Sequence, residues 1–144
     1  MNFARIALAS LGGFVAYFFV GGLLFVTMPF LKTEFLKYPA VYRDHDGQIS
    51  HMPAGMAAMF VSIATLAVLY AMLYPGGLSI GQGTRLGAEF GTLIGIFAIG
   101  AFTMHNWVNL QIGLKIALEQ SVAYFCEWLV VGIVIGLIYR PVAS

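Results

Sequence analysis

The chain has 144 residues, of which 60% are hydrophobic and 9% charged, with a mean hydropathy of +0.90. Soluble domains carry roughly 25% charged residues, so a chain this poor in charge cannot cover a water-facing surface. A net charge of +1 also excludes an electrostatic nucleic-acid binder, and the single cysteine, Cys126, excludes an intrachain disulfide or a multi-cysteine metal cage.

At about 20 apolar residues per span, the length accommodates about four crossings and no soluble catalytic domain beside them. Apolar runs predict transmembrane helices at about 6–30, 53–74, 86–104 and 114–139. None alternates like a barrel strand. The first run is about 25 residues long, beyond the about 7–15 residues of a signal-peptide core, which predicts a retained first helix. The expected fold is an all-α integral membrane protein: one domain over 1–144, a four-transmembrane-helix bundle with both termini on the same side.

The connections are unequal. Residues 31–52 form a long loop in which Asp44-His45-Asp46-Gly47 is a turn former. Pro53 is expected in the first turn of the second helix, where its missing N–H costs nothing. Pro75-Gly76-Gly77 ends that helix, and Gly81-Gln82-Gly83 reads as a continued flexible link. The third connection, 105–113, is short and semi-polar. Arg5, Arg85 and Arg140 fall on the N-terminal side, against Lys32, Lys37, Arg43 and Lys115 opposite. Basic residues thus give no orientation. The N-terminal side is taken as cytoplasmic because the other holds nearly all the acidic and histidine residues.

Small residues recur on the third run at Gly87, Gly91 and Gly95, and on the fourth at Gly132 and Gly136. At about 100° per residue, Gly87, Gly91, Ala98, Ala101 and His105 project within roughly 40° of one direction. Such stripes let a neighbouring backbone come close, and dispersion then drives association in lipid. Closure of the bundle itself and contact with a partner are both consistent with the spacing.

Glu127 lies about seven residues into the uninterrupted stretch from Ser121 to Ile138. A charged carboxylate there costs several kcal/mol unless it is paired, protonated or facing water. Gln120 shares its face at i−7, whereas Gly132 and Gly136 project roughly 140–180° away at the α-helical repeat. The fourth helix therefore has two faces unsuited to lipid. Three roles for Glu127 stay open: a subunit contact, an internal hydrogen-bonded carboxyl, or a transport site.

Met28, Met52, Met56, Met59 and Met104 gather towards one end of the helices, with His51 opening the second run and His105 closing the third. A short link favours these two helices as neighbours. His51, His105, Met52 and Met104 would then meet, with the 44–46 turn folded over them as a polar cap and Asn106 and Asn109 bonding open carbonyls. Imidazole and thioether donors suit Cu(I), and paired histidines suit a haem iron. The plainer reading, preferred here, is that interfacial histidines hydrogen-bond locally and methionines fill gaps; neither cofactor is favoured. Trp107, Tyr38, Tyr42, Tyr74 and Tyr139 fit interface anchoring.

From Arg85 to Pro141 the chain resembles small four-helix bacterial membrane proteins of uncharacterised activity. The likeness rests on the Gly87, Gly91, Gly95 helix, the polar stop His105-Asn106-Trp107-Val108-Asn109, and the Glu127-Trp128…Gly132…Gly136 helix. It implies the fold and a bacterial inner-membrane location, and no functional residues. No nucleophile–base pair or phosphate loop occurs, so no catalytic residue is assigned and an enzyme is not expected. The first expectation is a non-catalytic accessory subunit or interaction module of a larger membrane complex, respiratory or photosynthetic for example. Its partners would be lipid and other membrane subunits, or a second copy. The alternative is a small transporter or channel-like protein using Glu127 and Gln120; the third is a haem- or copper-binding protein.

Overall fold

The computed structural model describes residues 1–27, 33–75 and 78–140, and among these no β-strand occurs. The helices are α1 (Phe3–Thr27), α2 (His45–Leu73), α3 (Ile80–Ala98), α4 (His105–Asn109) and α5 (Leu114–Ile138), with a π-helical segment, Ile99–Met104, joining α3 to α4. α1, α2, the continuous run Ile80–Asn109 and α5 are each long and apolar enough to cross a membrane.

Two helix starts differ from the sequence reading. α2 begins at His45, two turns before Pro53, because Asp44 caps it: the Gly47 N–H donates to Asp44 Oδ1 at 2.8 Å. The turn former is thus a helix N-terminus, and Pro53 sits inside the helix, where it removes one backbone donor. α3 begins at Ile80. Ser79 and Gln82 form a reciprocal capping box, the Gln82 N–H donating to Ser79 Oγ and the Ser79 N–H to Gln82 Oε1. Gly81-Gln82-Gly83 is therefore the first turn of a helix rather than a flexible link.

The helices do not close in sequence order. α5 is central, packed against α3 on one side and α1 on the other, while α2 leans on α1. α2 and α3 do not pack along their lengths, contrary to the expectation that they are neighbours. They meet through Tyr70, whose hydroxyl donates to the Gly83 carbonyl at 3.4 Å and whose ring stands 5.4 Å from that of Phe90. Tyr139, the residue after α5, completes this end with its ring 6.3 Å from Tyr70.

Glycine makes the central contact possible. A Cβ at Gly87 would collide with the Gly132 carbonyl, and one at Gly136 with the Gly83 carbonyl. A Cβ at Gly91 would stand 2.6 Å from the Trp128 carbonyl. At Gly95 the obstacle is Phe125, 3.0 Å away. The two small-residue stripes foreseen on separate helices thus face one another within the chain. On the opposite flank, Gly13 receives Ile63 of α2 and sits against Val131 and Ile135 of α5. Ile63, Ala67 and Ala71 bury the C-terminal half of α2, but residues 48–58 of its N-terminal half are exposed.

The π-helical segment ends the glycine stripe. Its wider turn shifts the register, so Ala101 and His105 are exposed instead of continuing the face of Gly87 and Gly91. Thr103 turns inward in their place. Its hydroxyl lies 2.8 Å from Ser121 Oγ of α5 and donates to the Ile99 carbonyl, so a polar pair succeeds the backbone contact.

The obstacles at Gly132 are all backbone, namely the Gly87 carbonyl and the Gly91 Cα and N, so a methyl group there must separate the helices. Gly132→Ala is expected to cost on the order of 1–3 kcal/mol, the range for overpacking. Gly55→Ala, with nothing within 4 Å of the added carbon, is expected to gain about 0.5–1 kcal/mol from helix propensity. Unfolding titrations in mixed micelles measure both.

Candidate functional site

Glu127 is 7% exposed and faces α1. A Cβ on Gly21 would lie 2.6 Å from Glu127 Oε1, so glycine at this level leaves the carboxyl in the place a side chain would otherwise displace it from. One turn earlier, the Tyr17 hydroxyl is placed to donate to the same carboxyl, and the Tyr17 ring is 5.3 Å from Trp128. Glu127 Oε2 is buried without a hydrogen-bond partner. In a low-dielectric surrounding an unpartnered carboxylate oxygen is costly, and among the described residues Glu119 Oε2 and the Tyr139 hydroxyl share that condition.

The carboxyl lines a cavity of about 150 Å³ together with Gly21, Leu24, Phe25, Phe35, Gln120, Ala123 and Tyr124. Gln120 and Glu127, paired by their spacing in the sequence, therefore share one space. Among the described residues that line it, none is basic. Tyr17, Gly21 and Tyr124 escaped the sequence reading; the signal was there in α1, where Tyr17 and Gly21 stand at i and i+4 on one face.

The polar end of this cavity is bounded by the segment 33–42. Three contacts hold that segment to the start of α5. Lys115 Nζ donates to Glu34 Oε1 at 2.7 Å, the Gly113 N–H donates to the Tyr38 hydroxyl at 2.9 Å, and Gln120 Nε2 donates to the Tyr42 hydroxyl at 3.3 Å. Lys37 adds a second ammonium to Glu34 at 2.6 Å. The rings of Phe35 and Tyr42 meet edge to face, 4.6 Å apart, so the segment reaches the cavity through Phe35 and Gln120 through Tyr42. A second carboxyl lies nearby on α5: Glu119 Oε1 is 3.7 Å from Lys115 Nζ, and its Oε2 is buried without a hydrogen bond.

The histidine and methionine grouping is not assembled. His51 is exposed on the N-terminal half of α2, its Nδ1 within 2.9 Å of the Gly47 carbonyl and of Ser50 Oγ. His105 is exposed at the start of α4, Met52 is exposed on α2 and Met104 is half-buried in the π-helical segment. Because α2 does not pack on α3 or α4 at this level, nothing draws the pairs together. Among the described residues no group of three or more His, Cys, Asp or Glu gathers as a metal site. Met28 lies outside the described residues. The polar cap exists in a different place: it covers the start of α5 rather than His51 and His105. Asn109 does bond an open carbonyl, its Nδ2 donating to His105 O at 2.8 Å.

Gly132, Gly136, Gly87, Gly91 and Gly95 are consumed by the α3–α5 contact. Both specialised faces of the fourth span are therefore occupied inside the chain, the glycine face by α3 and the Glu127 face by α1. That removes the argument for a partner protein on those faces.

Hydrogen bonds from Lys115 and then Lys37 hold the Glu34 carboxyl below the ordinary carboxylate range. A carboxyl lowered in the folded state contributes its stabilisation in full above the ordinary value and loses it as pH falls through the lowered one. Exchange protection of the Gly113 N–H, which reports the Tyr38 contact, is expected to persist down through the ordinary carboxylate range and fail only below it. In Glu34→Gln the protection is expected to be weaker at neutral pH and to lose this acid transition. A scan against protein-family models, a search of curated proteins and a search of solved structures each return no match for this chain, so its functional reading rests on its own residues.

Proposed function

We propose that this chain is a small cation-handling membrane protein, channel-like or a transporter, in which Glu127 is the acceptor in a polar site between α1 and α5. Four helices cross a bacterial inner membrane in this reading, with both termini on one side. The observation that carries it is the Glu127 carboxyl, buried in an apolar helix pair and lining a cavity shared with Gln120, with no basic side chain among the described lining residues. An ionisable group in a span that faces a partly open space, with no countercharge among the described lining residues, suits a site that a mobile cation visits. A purely structural carboxyl would be expected to have both oxygens bonded, and Oε2 has no bond.

A second reading is favoured by one observation. The N-terminal half of α2 exposes Ile49, Met52, Met56, Phe60 and Val61 and packs on little else among the described residues. An accessory subunit of a larger complex would present such a helix to a neighbour. In this reading the interaction role belongs to α2, since the glycine stripes are occupied within the chain.

Proteoliposomes given gradients of protons, sodium, potassium or small ammonium ions separate the two. The expected outcome is flux of at least one cation, reduced tenfold or more by Glu127→Gln while native helical content is retained. Absence of flux for every cation, or flux indifferent to Glu127→Gln, overturns the transport reading.

A further inference from the structure

The cavity beside Glu127 has a chemistry narrower than cation binding in general. Its volume, about 150 Å³, equals that of an engineered apolar cavity able to hold benzene, about 150 Å³. That is more room than a bare metal ion fills, and the space is partly open and shares Phe25 and Phe35 with a larger one of about 800 Å³. Its walls are aromatic and aliphatic: Phe25 from α1, Phe35 from the segment before α2, and Tyr124 from α5, with Leu24 and Ala123 between them. An inorganic cation needs a shell of several oxygens, and this cavity offers the carboxyl, one amide and one phenol. A small organic cation needs a carboxylate for its charge and π-faces for its alkyl groups. Both are here.

The hydrogen-bond inventory narrows it further. Tyr17 is placed to donate to the carboxyl, Gln120 spends an amide N–H on Tyr42, and Glu127 Oε2 accepts nothing. The carboxyl that lines the cavity is thus under-supplied with donors among the described residues, at a place where a cation's charge would also be neutralised. We propose that the Glu127 cavity binds a small organic ammonium ion carrying at least one N–H, which donates to the Glu127 carboxyl while its alkyl groups lie against Phe25, Phe35 and Tyr124. The proposal rests on the polar-site reading above and names the class of cation it serves.

Methylammonium chloride titrated calorimetrically into the protein in lipid nanodiscs is the direct test, with sodium chloride at equal ionic strength as competitor. Binding is expected in the wild type, undiminished by sodium and weakened at least tenfold in Glu127→Gln. Phe35→Leu, which keeps the charge and removes one ring, is expected to weaken it about two- to thirtyfold, the range for a cation–π contact from exposed to desolvated. Gly21→Ala displaces the carboxyl without neutralising it and is expected to weaken binding too, so the test survives if Glu127→Gln fails to fold. No binding, binding equal in all three variants, or displacement by equimolar sodium overturns the proposal. Glu127-dependent sodium or proton flux without methylammonium binding overturns this inference alone; methylammonium binding without flux of any cation overturns the transport reading and leaves the site standing.

Discussion

Everything in this molecule is arranged around the distance at which α3 and α5 run past each other. In lipid, apolar side chains gain nothing by leaving a hydrocarbon solvent for a hydrocarbon core, so helix association has to come from close dispersion contact and polar bonds. Gly83, Gly87 and Gly91 let the backbone of α5 approach so near that carbonyl groups occupy the space of missing side chains. Where the glycines stop, Thr103 and Ser121 take over with a hydroxyl pair. The π-helical turn lets Thr103 reach inward at a level where the regular repeat would have presented Ala101.

With one side of α5 fixed in this way, its other side is committed to α1, and the position of Glu127 follows. The carboxyl cannot rotate to lipid without unseating the glycine contact behind it. Gly21 then removes the side chain that would have covered it, and Tyr17 supplies one donor. The energetic burden of a buried acid is thus held in place by a contact on the far side of the same helix. The segment 33–42 closes the arrangement from the end, through bonds that all terminate in the first two turns of α5 or just before them.

Much of this was legible before any coordinates, and the failures have physical causes. Apolar length marked the four long helices, and the glycine and Glu127 faces of the last one were correctly placed on opposite sides. Their occupants could not be read, because spacing describes one helix and says nothing of which helix lies beside it. The short link between α2 and α3 suggested adjacency, yet α5 offers α3 a carbonyl-lined groove that α2 lacks, and packing prevailed over connectivity. Gly81 and Gly83 disguised a capping box that Ser79 and Gln82 spelled out. Pro53 was given the role of a first-turn residue although Asp44 had already supplied a cap. The π-turn has no signature in hydropathy, since it is a change in hydrogen-bond register and not in residue type. Tyr17 and Gly21 were overlooked because an aromatic and a glycine in an apolar span resemble lipid-facing filler until a carboxyl is known to be opposite.

The central place of α5 also bears on how the chain assembles in the bilayer. Helices enter a membrane in chain order and pair afterwards. When α1 and α2 have been laid down they can already lean on one another through Gly13 and Ile63. α3 has no such partner, since its glycine groove fits only the backbone of a helix still to be made. Until α5 arrives, that groove faces lipid or any other narrow-backed helix within reach, and α3 meets the earlier helices at the Tyr70 end. α5 supplies most of what holds α3 to the rest, so in chain-order insertion the larger share of the packing waits for the last span.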